Sequence, residues 1–202
     1  MKNQLEKTEP MGAPIFAGYF PRRIAMPTGP RIPPQVVLLG NAGHCDGLRP
    51  EYWERTWRHN ELGLFDNLEL AWGIVPPAER TAYRLFGYSF LPLLVVNGVQ
   101  QQLDLPALSP DPLPADWVRL GFDPVTFSGL VPVQQNELKC FGHSPLSPFC
   151  NGRCGDIPVN PYCLLETVTD GLARVREFSN GGGEPEPYVL VEVWMQPTSP
   201  AS

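Results

Sequence analysis

Residues 188–195 read Tyr-Val-Leu-Val-Glu-Val-Trp-Met (YVLVEVWM), and this stretch decides the fold class. In an extended chain successive side chains point to opposite faces, so Val189, Val191, Val193 and Met195 share one face and Tyr188, Leu190, Glu192 and Trp194 the other. The first face is β-branched and apolar, and the second is apolar enough to be covered as well. A central strand with neighbours on both edges is therefore expected.

Upstream of it, Thr167 with Asp170 three residues on forms a capping-box pattern. The helix that follows sets Val168, Leu172 and Val175 on one face, with Phe178 near its edge, and should stop at Asn180-Gly181. Gly181-Gly182-Gly183 follows a helix and leads to a strand. That order is the reverse of a phosphate-cradling loop, so the glycines read as a connector.

Further outward, residues 128–163 are irregular and hold four of the five cysteines. Residues 117–127 suggest a strand broken at Pro124. Residues 93–103 read as a hairpin turning at Asn97-Gly98, a pair suited to positive φ angles. Three helices are expected before it: residues 50–60, residues 66–73 capped by Asp66 with Glu69, and residues 77–86 ended by Gly87. Residues 14–20 and 35–40 read as strands, with a loop over 21–34. No internal repeat is expected from this reading.

The expected class is α+β. It comprises a short mixed or antiparallel sheet, three to four short helices and long Pro-rich ordered loops, in one domain over residues 13–196. Residues 1–12 and 197–202 read as flexible ends, and the Pro-rich stretch 105–114 is the place where a subdivision would fall. Proline fills 25 of the 202 positions, more than twice the usual share of about 5%. Each proline removes a backbone donor and restrains its predecessor, which favours short elements.

Net charge is −6, from 15 basic and 21 acidic residues. Phosphate binding needs a basic patch, and the local basic pairs are limited to Arg22-Arg23 and Arg174/Arg176, so nucleic acid is not the expected partner. No apolar run is long enough to span a bilayer, and no signal-peptide pattern opens the chain; a cytoplasmic location is expected.

Three constellations could carry chemistry. Cys140, His143, Cys150 and Cys154 place four soft or borderline ligands in one Gly/Pro-rich loop, the set one zinc ion would take; the same spacing also suits buried thiols without any metal, or a Cys150–Cys154 disulfide. Cys163 is a spare ligand for such a site. His44 and Cys45 follow an apolar run and are the candidates for nucleophilic catalysis, although sequence neighbours generally point apart. Tyr52, Trp53 and Trp57, interleaved with Glu51 and Glu54, combine the residue types that dominate interface centres with carboxylates suited to a basic partner. Hydrolase and nucleotide-binding signatures are missing. The expected function is a soluble protein-interaction module, such as an inhibitor, immunity-type or accessory subunit, with no cofactor. The competing readings are a Cys/His or metal-dependent enzyme and a zinc-stabilised structural module.

Overall fold

The computed structural model describes residues 12–25, 38–39, 59–127, 144, 146, 157–179 and 187–197, with backbone alone at 23–25 and 38–39. The described strands are β1 (Ile15–Ala25), β2 (Leu38–Leu39), β3 (Tyr83–Val96), β4 (Val99–Gln102), β5 (Val118–Thr126) and β6 (Tyr188–Met195). Two α-helices, α1 (Leu68–Gly73) and α2 (Val168–Ser179), and a 3-10 helix at Pro77–Ala82 accompany them. The strands form one sheet in the order β2-β1-β3-β6-β5, with β4 continuing the ladder on β3. Every pairing is antiparallel. The chain is therefore α+β.

β6 is central, paired with β3 on one edge and β5 on the other. Val189, Val191 and Val193 are at most 1% exposed and pack with Phe86, Tyr88 and Phe90 of β3 on one face of the sheet. Tyr188 and Leu190 bury the opposite face against Val175, Phe178 and Leu172 of α2. α1 covers the same helical face over β1, where Ala71 meets Tyr19, Phe65 and Leu85.

Several expectations need correction. The helix expected over 77–86 is a 3-10 turn ending at Ala82, and residues from Tyr83 onward are strand. Leu85 and Phe86 are fully buried, and pairing to β1 and β6 overrides their local preference. The strand at 14–20 runs on through Pro21 to Ala25, and β5 runs unbroken through Pro124. Both prolines sit on flanking strands, where an absent N–H costs least. The cap of α1 is Asn67, whose side chain accepts from Leu70 N, one residue beyond the expected Asp66. Thr167 caps α2 as expected, with its Oγ1 accepting from Asp170 N at 3.1 Å. The hairpin turns at Asn97-Gly98, both with positive φ.

The main correction is that the fold is built twice. Gly18-Tyr19-Phe20-Pro21 on β1 corresponds to Gly121-Phe122-Asp123-Pro124 on β5, and each strand has a register shift at its glycine. Tyr19 exchanges two backbone hydrogen bonds with Phe65, at 2.8 and 2.9 Å, and Phe122 exchanges the same two with Leu165. Asn60 and Asn160 each bracket a turn. Asn60 Oδ1 accepts from Leu62 N and Leu64 N, while Asn160 Oδ1 accepts from Tyr162 N and Leu164 N. Their Nδ2 groups donate to the displaced carbonyls, Ala17 O at 2.8 Å and Leu120 O at 2.6 Å. Gly63 and Cys163 occupy the same positive-φ position, at 75° and 57°. α1 and α2 follow their turns, and β3 and β6 complete the two copies.

The registers locate the symmetry axis. Gly18 pairs with Tyr88 and Gly121 with Val193, so Tyr88 and Val193 are equivalent, and they pair with each other where β3 meets β6. An antiparallel pair whose equivalent residues face each other has a local two-fold through that pair. The first copy comprises β1, α1 and β3 with its β4 hairpin; the second comprises β5, α2 and β6.

Candidate functional site

A duplicated frame supplies its own control. A position filled the same way in both copies serves the frame, and a position filled differently is free of that demand. Asn60 and Asn160 fall in the first group. On the sheet face crossed by the axis, three pairs fall in the second. Arg22 corresponds to Val125, Asp123 to Phe20, and Tyr88 to Val193, as the strand registers require. The frame thus accepts apolar side chains at all three places, yet one copy of each carries a polar group.

These polar groups form a cluster with Ser144. Arg22 Nε donates to Tyr88 Oη. The guanidinium also lies over two rings, 5.5 Å from the centroid of Phe20 and 5.3 Å from that of Tyr88. Ser144 Oγ donates to Asp123 Oδ1, and Leu146 N donates to Ser144 Oγ at 3.2 Å. Arg22, Tyr88 and Ser144 are buried, at 5%, 5% and 2% exposure, whereas Asp123 keeps part of its surface in contact with solvent.

Desolvation governs the electrostatics. Burial pushes the Asp123 carboxyl up from the usual carboxylate range to about 7, against the opposing pull of the Ser144 hydrogen bond and the Arg22 cation. Burial also raises the Tyr88 phenol; Arg22 opposes the rise, and the Asp123 charge adds to it. The cluster combines a fixed cation, a phenol kept protonated and a carboxyl that changes charge near neutrality. It can exchange one proton in the physiological range.

The buried Glu192 carboxylate lies on the helical face, one residue along from Val191, and meets Arg119 at 3.5 Å.

The cluster escaped the sequence reading. In the sequence Arg22 and Arg23 form a local basic pair, but the burial of Arg22 removes it from any basic surface. Asp123 stood beside the proline taken to end a strand. The signal lay in comparing Gly-Tyr-Phe-Pro at 18–21 with Gly-Phe-Asp-Pro at 121–124, the same turn of chain with a carboxylate in place of a ring.

The residues expected to carry function, His44, Cys45, Glu51, Tyr52, Trp53, Glu54, Trp57, Cys140, His143, Cys150 and Cys154, all lie outside the described residues. Among the described residues no three His, Cys, Asp or Glu side chains converge as a metal site. Cys163 is buried within the Asn160 turn. No described helix is long and apolar enough to cross a membrane. The chain positions of the expected residues nevertheless have a pattern. Each belongs to one of two connections, from the end of β1 at Ala25 to Asn60, or from the end of β5 at Thr126 to Asn160. Each connection leads from the flanking strand of its copy to the Asn-bracketed turn of the same copy. They join repeated elements, but their own sequences differ: the first carries His44-Cys45 and the Tyr/Trp/Glu group, and the second the Cys140/His143/Cys150/Cys154 group. Comparison with family models, with curated proteins and with solved structures finds no match for this chain.

Proposed function

We propose that this chain is a protein-interaction module that acts in the cytoplasm as an inhibitory or accessory subunit, with its contact residues in the connection between β1 and Asn60. The observation that supports this reading is the contrast between a repeated frame and two unlike connections. Binding residues concentrate on segments held by a rigid scaffold, because the scaffold fixes their ends while their sequence is free to vary. Here the strands, the Asn-bracketed turns and the helix starts recur, and the connections between them do not.

Tyr52, Trp53 and Trp57 supply large amphipathic contact area, and Glu51 and Glu54 favour a basic partner surface. The acidic balance of the chain, −6 overall, acts in the same direction over longer range. The Asn60 and Asn160 side chains of the two turns are taken up in holding backbone.

The test is a pair of variants, Tyr52→Ala and Trp53→Ala, compared with the parent chain for thermal unfolding and for retention of the native partner on co-purification. The reading expects the partner to be lost while the melting temperature stays unchanged. Loss of stability in both variants would make these aromatics core and overturn the assignment.

A further inference from the structure

We propose that Glu192 is the floor of a second peptide seat on the helical face of the sheet, one that takes a basic side chain inserted from an extended, proline-rich segment of a partner protein.

The first copy shows a filled seat of this kind. Gly87 lies on the helical face of β3, one residue before the axis residue Tyr88, and the Pro-rich stretch ahead of β5 passes over it. A Cβ on Gly87 would stand 2.8 Å from Leu113 Cδ1, 3.1 Å from Phe16 Cε2 and 3.4 Å from Trp117 Cζ3. The missing side chain thus makes room for the inserted Leu113. The Tyr19 hydroxyl fixes the stretch by donating to Asp111 O and Pro112 O.

The strand registers give the counterpart in the second copy. Glu192 stands in the place of Gly87, Arg119 in that of Phe16, Phe122 in that of Tyr19, and Ser89 in that of Trp194. An ion pair replaces the apolar contact, and Phe122 has no hydroxyl with which to hold a segment. Pro14, which precedes β1 as Trp117 precedes β5, is exposed, whereas Trp117 is buried.

Glu192 is short of partners for a buried charge. The residue is 8% exposed, and among the described residues no hydrogen bond reaches its carboxylate. Arg119 Nη1 stays 3.5 Å from Oε1, on a side chain that is 53% exposed. An ion pair with one member largely in water contributes little, and a buried carboxylate without donors is costly. Two residues along the same face, the Trp194 indole N–H is buried with no acceptor. A guanidinium or ammonium entering beside Ser89 supplies the donors Glu192 lacks, while Arg119 turns out to solvent. Arginine fits best, because its fork matches a carboxylate. An acidic insertion would meet the charge of Glu192, and an aliphatic one would leave it unpaired. This seat uses no residue of the connection between β1 and Asn60, and its test needs no native partner, so it stands or falls separately from the reading above.

The probe is a fluorescent peptide with the sequence of residues 108–117, the segment that fills the first seat, carrying Leu113→Arg. Its binding to the full chain is followed by anisotropy at low salt, beside the unmodified peptide. The seat expects the arginine peptide to bind at least about tenfold more tightly than the unmodified one. Glu192→Gln in the protein should remove that preference, and Arg119→Ala should keep or increase it, because it deletes the competing cation. Equal binding of the two peptides, or a preference that survives Glu192→Gln, would overturn the proposal. Should Glu192→Gln fail to fold, Arg119→Ala decides. A preference kept or increased supports the seat, and a preference lost assigns the binding to Arg119 and overturns it.

Discussion

At the scale of single residues, the two glycines and two asparagines carry the repeated geometry. Gly18 and Gly121 take φ of +134° and +148°, which side chains rarely adopt, and both are pressed against backbone. A Cβ would stand 2.7 Å from Phe65 O at Gly18 and 2.5 Å from Leu165 O at Gly121. Neither carbonyl can withdraw, because each belongs to a residue exchanging a pair of backbone bonds with the strand. Gly18→Ala and Gly121→Ala should each cost at least ~2 kcal/mol of stability, measured by denaturant unfolding. Asn60→Ala and Asn160→Ala strip the partners from two amides and one carbonyl apiece, and should each cost roughly 2–4 kcal/mol. A large loss in one copy with none in the other would contradict the equivalence drawn between them. These four residues were visible in the sequence, but their roles were not. Gly-x-x-Pro and Asn-x-x-x-Leu are too short to stand out. The connections between them differ in length, so no fixed period links the copies.

At the scale of elements, legibility followed how much of the pattern was local. β6 was read correctly because eight residues alternate without interruption, and α2 because a capping box and an apolar face agree. The segment from Tyr83 was misread because its character comes from partners distant in sequence. Leu85 pairs with Pro21, and Phe86 with both Phe20 and Met195. The prolines at 21 and 124 misled for the same reason, since whether a strand tolerates proline depends on what lies beyond its outer edge. β6 yields a direct test. Val191 is 1% exposed and packed among Phe86, Phe90 and Val189, so Val191→Asp would bury an unpaired carboxylate. That should abolish soluble expression; normal yield with an unchanged melting temperature would contradict the central placement of this strand.

At the scale of the whole molecule, the chain resembles a two-fold dimer whose halves are joined by the Pro-rich stretch between β4 and β5. That stretch lies against the first half. The Tyr19 hydroxyl donates to Pro112 O at 2.8 Å and to Asp111 O at 3.1 Å, and Asp111 N donates to Asp66 O at 2.7 Å. Burial, with the Asp111 charge adding to it, pushes the Tyr19 phenol up to about 12, which keeps this donor in place across the physiological range. The halves themselves are held by the ladder from Phe86↔Met195 to Val95↔Tyr188 and by the core on both faces of it. Cutting the connection would remove the high effective concentration it provides but none of those contacts. We therefore expect a chain with a specific protease site inserted between Ser109 and Pro110, where Ser109 is exposed, to survive cleavage as a complex. After cutting, the two pieces should co-elute at the size of the uncut protein and come apart only in denaturant. Their melting temperature should become dependent on concentration, because unfolding now separates two chains. Dissociation or aggregation of the cut protein under native conditions would show that the connection, and not the two-fold interface, holds the halves together.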